Sequence, residues 1–170
     1  MEHLNVEIKA RCADHDTIRN VLESKKADFK GIDHQVDTYF KVSHGRLKLR
    51  EGNIENHLIF YEREDKEGPK QSNVILFENN PGLSLKDILL KSLGALVIVD
   101  KRREIYFIGN VKFHIDTVGG LGAFMEIEAI DKDGTIGKEK LHEQCQQYMD
   151  LFGIQPADLI SDSYRDLLGR

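Results

Sequence analysis

Short stretches in which every second residue is apolar recur along this chain, and a period of two is the signature of strands rather than helices. In Asn5-Val6-Glu7-Ile8-Lys9-Ala10-Arg11 the odd positions carry Asn, Glu, Lys and Arg. The even positions, with Leu4 in front, are Leu, Val, Ile and Ala. One face of such a strand is greasy, and the other bears both charge signs. The layout returns in 46–50, where Arg46, Lys48 and Arg50 alternate with Leu47 and Leu49. It returns in 111–116, with Lys112, His114 and Asp116 against Val111, Phe113 and Ile115, and in 124–128, with Glu126 and Glu128 against Met125, Ile127 and Ala129. In 35–41, Asp37, Tyr39 and Lys41 oppose Val36, Phe40 and Val42. A solvated sheet face accounts for one such strand, since cross-strand pairs there add only about 0.2–1 kcal/mol each. The recurrence needs a further reason.

The punctuation between these stretches sets the order of elements. A first strand is predicted over 3–12, then a helix capped by Asp14 or Asp16 and running to Ala27, with Ile18, Val21 and Leu22 as its apolar stripe. Strands follow at 35–42 and 46–51, joined by His44-Gly45, then at 57–64 and 73–78. Asp65 to Gln71, with Gly68-Pro69, reads as a loop. Ser84 and Gly94 bracket a second helix, a strand covers 95–108, and Gly109-Asn110 offers a tight hairpin to 111–118. After the corner at Gly119, Gly120 and Gly122 comes a strand over 123–130. The third helix, 137–152, puts Leu141, Cys145, Tyr148, Met149 and Phe152 on one side and stops at Gly153. Pro156 opens a short final segment through Tyr164 and Leu168. Eight strands and three helices predict an α+β domain over 1–170, mostly antiparallel, with helices covering part of the outer sheet.

Composition narrows the function classes. At 170 residues the chain can bury a core without disulfide staples. No apolar run approaches the roughly 20 residues needed to span a bilayer, and the start lacks a basic-then-apolar leader, so a cytoplasmic protein without membrane partners is expected. Cys12 and Cys145 are far apart and show no zinc-ligand spacing. The net charge of −5 argues against a nucleic-acid partner.

That charge is sorted by face. The alternating faces hold Lys9, Arg11, Lys41, Arg46, Lys48, Arg50, Lys101, Arg103 and Lys112, against Glu7, Asp37, Asp116, Glu126 and Glu128. Nine bases and five acids make this set +4 in a chain of −5, leaving −9 for the remainder. Arg63 is expected to join the basic set, while Asp100, Arg102 and Glu104 are expected to face solvent. His114 reads as a hydrogen-bonded pocket or core residue. Acids gather at Glu7, Asp116, Glu126 and Glu128, an oxygen-rich corner suited to a hard divalent cation. Bases fill the middle strands and suit phosphate oxygens, with Arg supplying paired donors. If the sheet curls into a barrel, these faces line a cavity for a metal-bound polyphosphate. No Walker loop, nucleophile elbow or dinucleotide fingerprint occurs, so the chemistry rests on metal and charge.

These segments resemble the CYTH family, the triphosphate tunnel metalloenzymes. The family's opening ExExK is matched by Asn5-Val6-Glu7-Ile8-Lys9, with Asn5 in place of the first Glu. Gln35-Val36-Asp37-Thr38-Tyr39-Phe40, Gly45-Arg46-Leu47-Lys48-Leu49-Arg50 and Lys101-Arg102-Arg103-Glu104-Ile105-Tyr106 look like its later segments. So do His114-Ile115-Asp116-Thr117-Val118, Leu121 through Glu128, and Ser163-Tyr164-Arg165-Asp166-Leu167-Leu168. The resemblance implies an eight-stranded antiparallel β-barrel, a triphosphate tunnel open to solvent, with flanking helices. It implies metal ligands at Glu7, Asp116, Glu126 and Glu128, holding Mg2+ or Mn2+. It implies triphosphate binders at Lys9, Arg11, Lys48, Arg50, Arg63, Lys101 and Arg103, and catalytic roles for Glu7, Lys9 and Asp116. The Lys-Arg-Arg, Leu-Gly-x-Phe and Ser-Tyr segments look closest to the class IV adenylyl cyclases, which convert ATP to cyclic AMP and pyrophosphate. An inorganic or thiamine triphosphatase is the alternative, and a non-catalytic binder of polyphosphate or nucleotide a third, made plausible by Asn5. The expected partner is ATP or another small triphosphate, and the expected state a monomer or homodimer.

Overall fold

The computed structural model describes residues 2–169. Eight strands close into a barrel: β1 (Glu2–Arg11), β2 (Asp28–Phe40), β3 (Arg46–Glu51), β4 (Asn56–Arg63), β5 (Lys70–Glu78), β6 (Ala95–Ile108), β7 (Val111–Val118) and β8 (Gly122–Asp131). Around the barrel the order is β1-β5-β4-β3-β2-β6-β7-β8, and every neighbouring pair is antiparallel. Closure leaves no sheet edge for another chain to pair with. The helices are α1 (His15–Ser24), α2 (Leu85–Leu93), α3 (Lys138–Phe152) and the short α4 (Tyr164–Leu168). Among the described residues no helix is long and apolar enough to cross a membrane.

Three predicted strands keep their ends, three need only one-residue adjustments, and two grow. β2 begins at Asp28, seven residues before the predicted start at 35. Gly31, at φ 124°, sits where the register against β6 shifts, and this bulge breaks the alternation that would have revealed the strand. α1 is capped by Asp14, whose carboxylate accepts from the Thr17 amide at 3.1 Å, and it ends at Ser24 rather than Ala27. β5 takes Lys70 and Gln71 out of the predicted loop. Gly45 turns between β2 and β3 at φ 63°, and a Cβ there would stand 2.5 Å from the Phe60 ring.

The apolar faces point outward, under the helices. Val6, Ile8 and Ala10 of β1, Val111, Phe113 and Ile115 of β7, and Met125, Ile127 and Ala129 of β8 pack against Ile18 and Leu22 of α1. Leu141, Cys145, Met149 and Phe152 of α3 complete this layer, with the Phe113 and Phe152 rings edge to face at 5.6 Å. Each such side chain contributes about 1.5–3 kcal/mol by leaving water. In β1, β3, β7 and β8 the barrel interior therefore receives the other face, the charged one, while β4 and β5 turn Ile59, Tyr61, Val74 and Leu76 toward it. Glu104 points outward but does not meet solvent: Arg19 of α1 covers it, with Nε at 2.9 Å from Oε1, and Tyr106 donates to it at 3.2 Å.

Because α3 closes the outer layer, Leu141→Ala should lower unfolding free energy by about 2–5 kcal/mol. Urea denaturation measures it, and a loss below about 1 kcal/mol would show that α3 is not part of the packed core.

Candidate functional site

The strand ladders decide which charges meet. Glu7 stands opposite Glu128 and Lys9 opposite Glu126 across β1 and β8. Lys112 faces Glu128 and His114 faces Glu126 across β7 and β8, while Arg103 faces Asp116 across β6 and β7. Asp37 faces Arg50 across β2 and β3. All of these except Asp37 and Asp116 line one cavity with about 760 Å³ of empty space, its open parts included. Glu7, Lys9, Lys48, Arg50, Arg63, Arg103, Glu126 and Glu128 all line it.

Behind that lining lies a second layer. Asp37 is 1% exposed and receives Arg50 through two bonds of 2.9 Å, Lys101 at 2.8 Å and Lys48 at 3.2 Å. Asp116 receives Arg103 through two bonds of 2.8 and 2.7 Å and the Tyr164 hydroxyl at 2.7 Å. Lys101 and Asp116 thus support the wall from behind, while Arg11 is exposed at the end of β1 with its guanidinium 5.1 Å from the Phe124 ring centre. Planar guanidinium forks seated on carboxylates fix both direction and distance, which a lone lysine does not.

Burial and pairing set the protonation states. Burial works to raise the Asp37 carboxyl, but Arg50, Lys101 and Lys48 hold it well below the usual range. Burial opposes Glu126 ionisation in the same way, and Lys9, Arg103 and His114 overcome it. Glu128 is the exception: burial, with Glu7, Glu126 and Glu55 nearby, pushes it up to about 7 despite Lys112. Burial lowers Lys101 to about 7, and burial with Arg103 lowers His114 to about 3, so His114 is neutral at pH 7.

Several participants lie outside the alternating pattern. Glu55, in the turn between β3 and β4, pairs closely with Lys112 and reaches Arg50 at 3.3 Å. Asp33 shapes that turn, accepting from the amides of Asn53, Ile54 and Glu55 at 2.7 to 2.9 Å. Lys70 is fully buried and donates to the backbone carbonyls of Ser161 at 3.0 Å, Ile160 at 3.2 Å and Lys66 at 3.4 Å. That anchor leads into α4, whose capping box joins Ser163 and Asp166 and sets Tyr164 against Phe124 and under Lys9, with Nζ 3.7 Å from the ring centre. The Gly68-Pro69 break hid Lys70, and a loop residue such as Glu55 carries no parity signal.

The sequence model of the CYTH domain matches residues 3–164. The chain belongs to the CYTH family. A Methanocaldococcus jannaschii protein named as a candidate adenylate cyclase is 26% identical, over 98% of this chain and 99% of its own length. The fold superposes on a Pyrococcus horikoshii protein with a TM-score of 0.80 at 26% identity, covering 96% of this chain and 98% of that one. It also matches a Hippeastrum protein described as a candidate adenylyl cyclase with a dominant triphosphatase activity, at TM-score 0.64 and 12% identity, covering 99% and 95%.

CYTH tunnels are associated with a divalent cation, and the donors present here suit one. Asn5 gives its amide Nδ2 to Glu128, while its buried Oδ1 has no hydrogen-bond partner. An orphaned oxygen on the same cavity as Glu7, Glu126 and Glu128 adds to an all-oxygen donor set, the kind a hard cation prefers. Among the described residues no three acidic, His or Cys side chains converge into a ready-made cage. The carboxylates are held by bases instead: Glu7 by Arg63 at 3.1 Å, and Glu126 by Lys9 at 2.7 Å and Arg103 at 3.2 Å.

Removing the carboxylate that orders three bases should be costly. Asp37→Asn is expected to destabilise the protein by about 3–5 kcal/mol at pH 7. The native pKa is depressed, so this contribution is present above the unfolded value near 4 and fades as pH falls below it. Denaturation of both proteins across pH 3.5–7 checks the narrowing, and a gap that widens toward acid would refute the pairing.

Proposed function

We propose that this chain is a divalent-cation-dependent enzyme acting on a triphosphate, of the adenylyl cyclase-like type that converts ATP to cyclic AMP and pyrophosphate. One observation carries the reading: Lys9, Lys48, Arg50, Arg63 and Arg103 converge with Glu7, Glu126 and Glu128 on a single cavity in the barrel. The basic side chains are assigned to the phosphate oxygens, with Lys101 behind them as a further donor. Glu7, Glu126 and Glu128, with the Asn5 oxygen, are assigned to Mg2+ or Mn2+, and Asp116 to holding Arg103. Bound there, the cation supplies Lewis-acid polarisation of phosphoryl oxygens and charge neutralisation.

The work of the chain's own residues follows from their pairings. A triphosphate draws Arg63 from Glu7 and Lys9 from Glu126, and the freed carboxylates then face the cavity uncompensated. Binding of anion and cation is thereby coupled, each favouring the other by the same free energy. In the cyclase reaction the ribose 3′-oxygen attacks the α-phosphorus and pyrophosphate leaves. Positioned bases stabilise the charge that builds on the departing oxygens. A triphosphatase needs the same wall with a water at the terminal phosphorus, and the activity described for the Hippeastrum neighbour supports keeping that reading second.

Incubation with Mg2+ or Mn2+ and either ATP or tripolyphosphate separates the outcomes. Cyclic AMP with pyrophosphate is the expected result; orthophosphate release supports the triphosphatase, and tight binding without turnover supports a binding protein. Lys48→Ala should weaken triphosphate binding by about 1.5–3 kcal/mol, the worth of a hydrogen bond to a charged group. Calorimetry reads it, and unchanged affinity would remove Lys48 from the phosphate site. Glu128→Gln should abolish cation-dependent turnover while leaving the melting temperature at or above that of the parent.

A further inference from the structure

One base of the cavity is already engaged by an acid that no strand carries. Lys112 lines the cavity beside Arg50, and its ammonium is held by the carboxylate of Glu55. The same carboxylate accepts from Arg50 at 3.3 Å and from the Gln35 amide at 2.9 Å. Arg50 does not depend on Glu55 for its charge balance, because Asp37 already accepts from its Nε and Nη2 at 2.9 Å each. A guanidinium carries five N–H groups, and Asp37 and Glu55 take three, so two remain to face a ligand among the described residues. The basic wall therefore ends at Arg50, and the next group along it is an acid.

Glu55 stands at one end of the cavity and is held there rigidly. Arg50, His57 and Lys112 each lie one residue inside a strand end, and Glu55 enters beside them from the β3–β4 turn. Arg63, the last residue of β4, and Tyr164 of α4 mark the opposite end. The turn is fixed by the buried carboxylate of Asp33, which accepts from three successive amides, those of Asn53, Ile54 and Glu55. Asn56 locks it again, donating to the Gly52 carbonyl at 2.9 Å and accepting from the Gly52 amide at 3.1 Å. A Cβ on Gly52 would stand 2.6 Å from the Asp33 carboxylate, so the turn closes tightly on its anchor. Burial works to raise the Glu55 carboxyl, but Lys112 and Arg50 hold it well below the usual range, and it is ionised at neutral pH. A fixed anion at the end of a polyanion site repels the next phosphate, and an unfavourable contact of this kind discriminates between ligands that share every favourable one.

We propose that Glu55 is the end stop of the phosphate wall, limiting the cavity to a triphosphate by setting a carboxylate where a fourth phosphate would meet Arg50 and Lys112. This assignment rests on the triphosphate reading and names the residue that sets chain length within it. Lys112 then binds no substrate; it holds the stop in place.

Methylene-bridged tripolyphosphate and tetrapolyphosphate, titrated into the folded protein with Mg2+ at one ionic strength, test it without turnover. In the parent the two chains should bind within about threefold of each other, the fourth phosphate adding no net attraction. Glu55→Gln keeps the side-chain shape and the acceptor for Gln35 while removing the charge. It should tighten tetrapolyphosphate at least about tenfold more than tripolyphosphate, the worth of one hydrogen bond to a charged group. Glu55→Asp, which keeps the charge but withdraws it from Arg50 and Lys112, should shift the ratio the same way. Adding Lys112→Met to Glu55→Gln should cancel the gain, because the freed ammonium is what the fourth phosphate would meet. A parent that prefers tetrapolyphosphate by about tenfold overturns the proposal. So does Glu55→Gln tightening both chains by one factor, which would make Glu55 a general source of negative field. If tripolyphosphate binds and no variant moves the ratio, the stop falls and the triphosphate reading stands. If neither chain binds the parent, both fall together.

Discussion

Unlike charges buried side by side inside a closed barrel are the constraint on which this structure depends. Moving an ion out of water costs several kcal/mol even after relaxation, and only a well-placed partner recovers it. Arg103 and Asp116 are 3% and 0% exposed, and Lys101 and Asp37 are 1% each, so neither pair is softened by solvent. Antiparallel pairing supplies the partners through register: Asp37 meets Arg50, Arg103 meets Asp116, and Lys9 meets Glu126 because the strands bring them opposite one another. Slipping any of these strands by one residue would turn the charges into the oily outer layer and the oil into the cavity. The ion pairs therefore specify register at least as much as they stabilise the fold.

Stability comes from the other side of the same strands. Small barrels commonly fill their interior with apolar side chains. Here the larger apolar layer lies outside the wall, between β1, β7 and β8 and the helices α1 and α3, and a smaller cluster with Ile59 and Val74 reaches the cavity. That inversion frees the interior for binding and separates two tasks by side-chain parity. Leu4, Val6, Ile8 and Ala10 of β1 hold the fold, and His3, Asn5, Glu7 and Lys9 line the cavity.

Parity was legible residue by residue where the alternation ran unbroken, as in β1, β3, β7 and β8. It identified Glu7, Lys9, Lys48, Arg50, Glu126 and Glu128 as one set, and the fold brings them to one cavity. It could not report depth. Lys101 and Arg103 share a face, yet Arg103 lines the cavity while Lys101 lies behind it on Asp37. Nor could it report what covers an outward face: Glu104 alternates like an exposed residue, but Arg19 of a distant helix closes over it. Glu55 and Lys70 were hidden for local reasons, one in a turn and the other behind Gly68-Pro69, because only the closed barrel carries them inward.

The resting pairings also show how an acidic protein can gather bases for the polyanion site proposed here. Besides the cation role proposed for them, the acids of the cavity keep the bases aligned. Glu126 illustrates the double duty, touching Lys9, Arg103 and His114 at once. If those carboxylates were absent, the bases would repel one another and their wall would open toward water. If the bases were absent, the carboxylates would take up protons, as Glu128 already tends to where burial and the acids Glu7, Glu126 and Glu55 act on it. On the proposed reading, phosphate oxygens and a cation together replace both halves of each pair, so the interior passes from one neutralised state to another once both are bound.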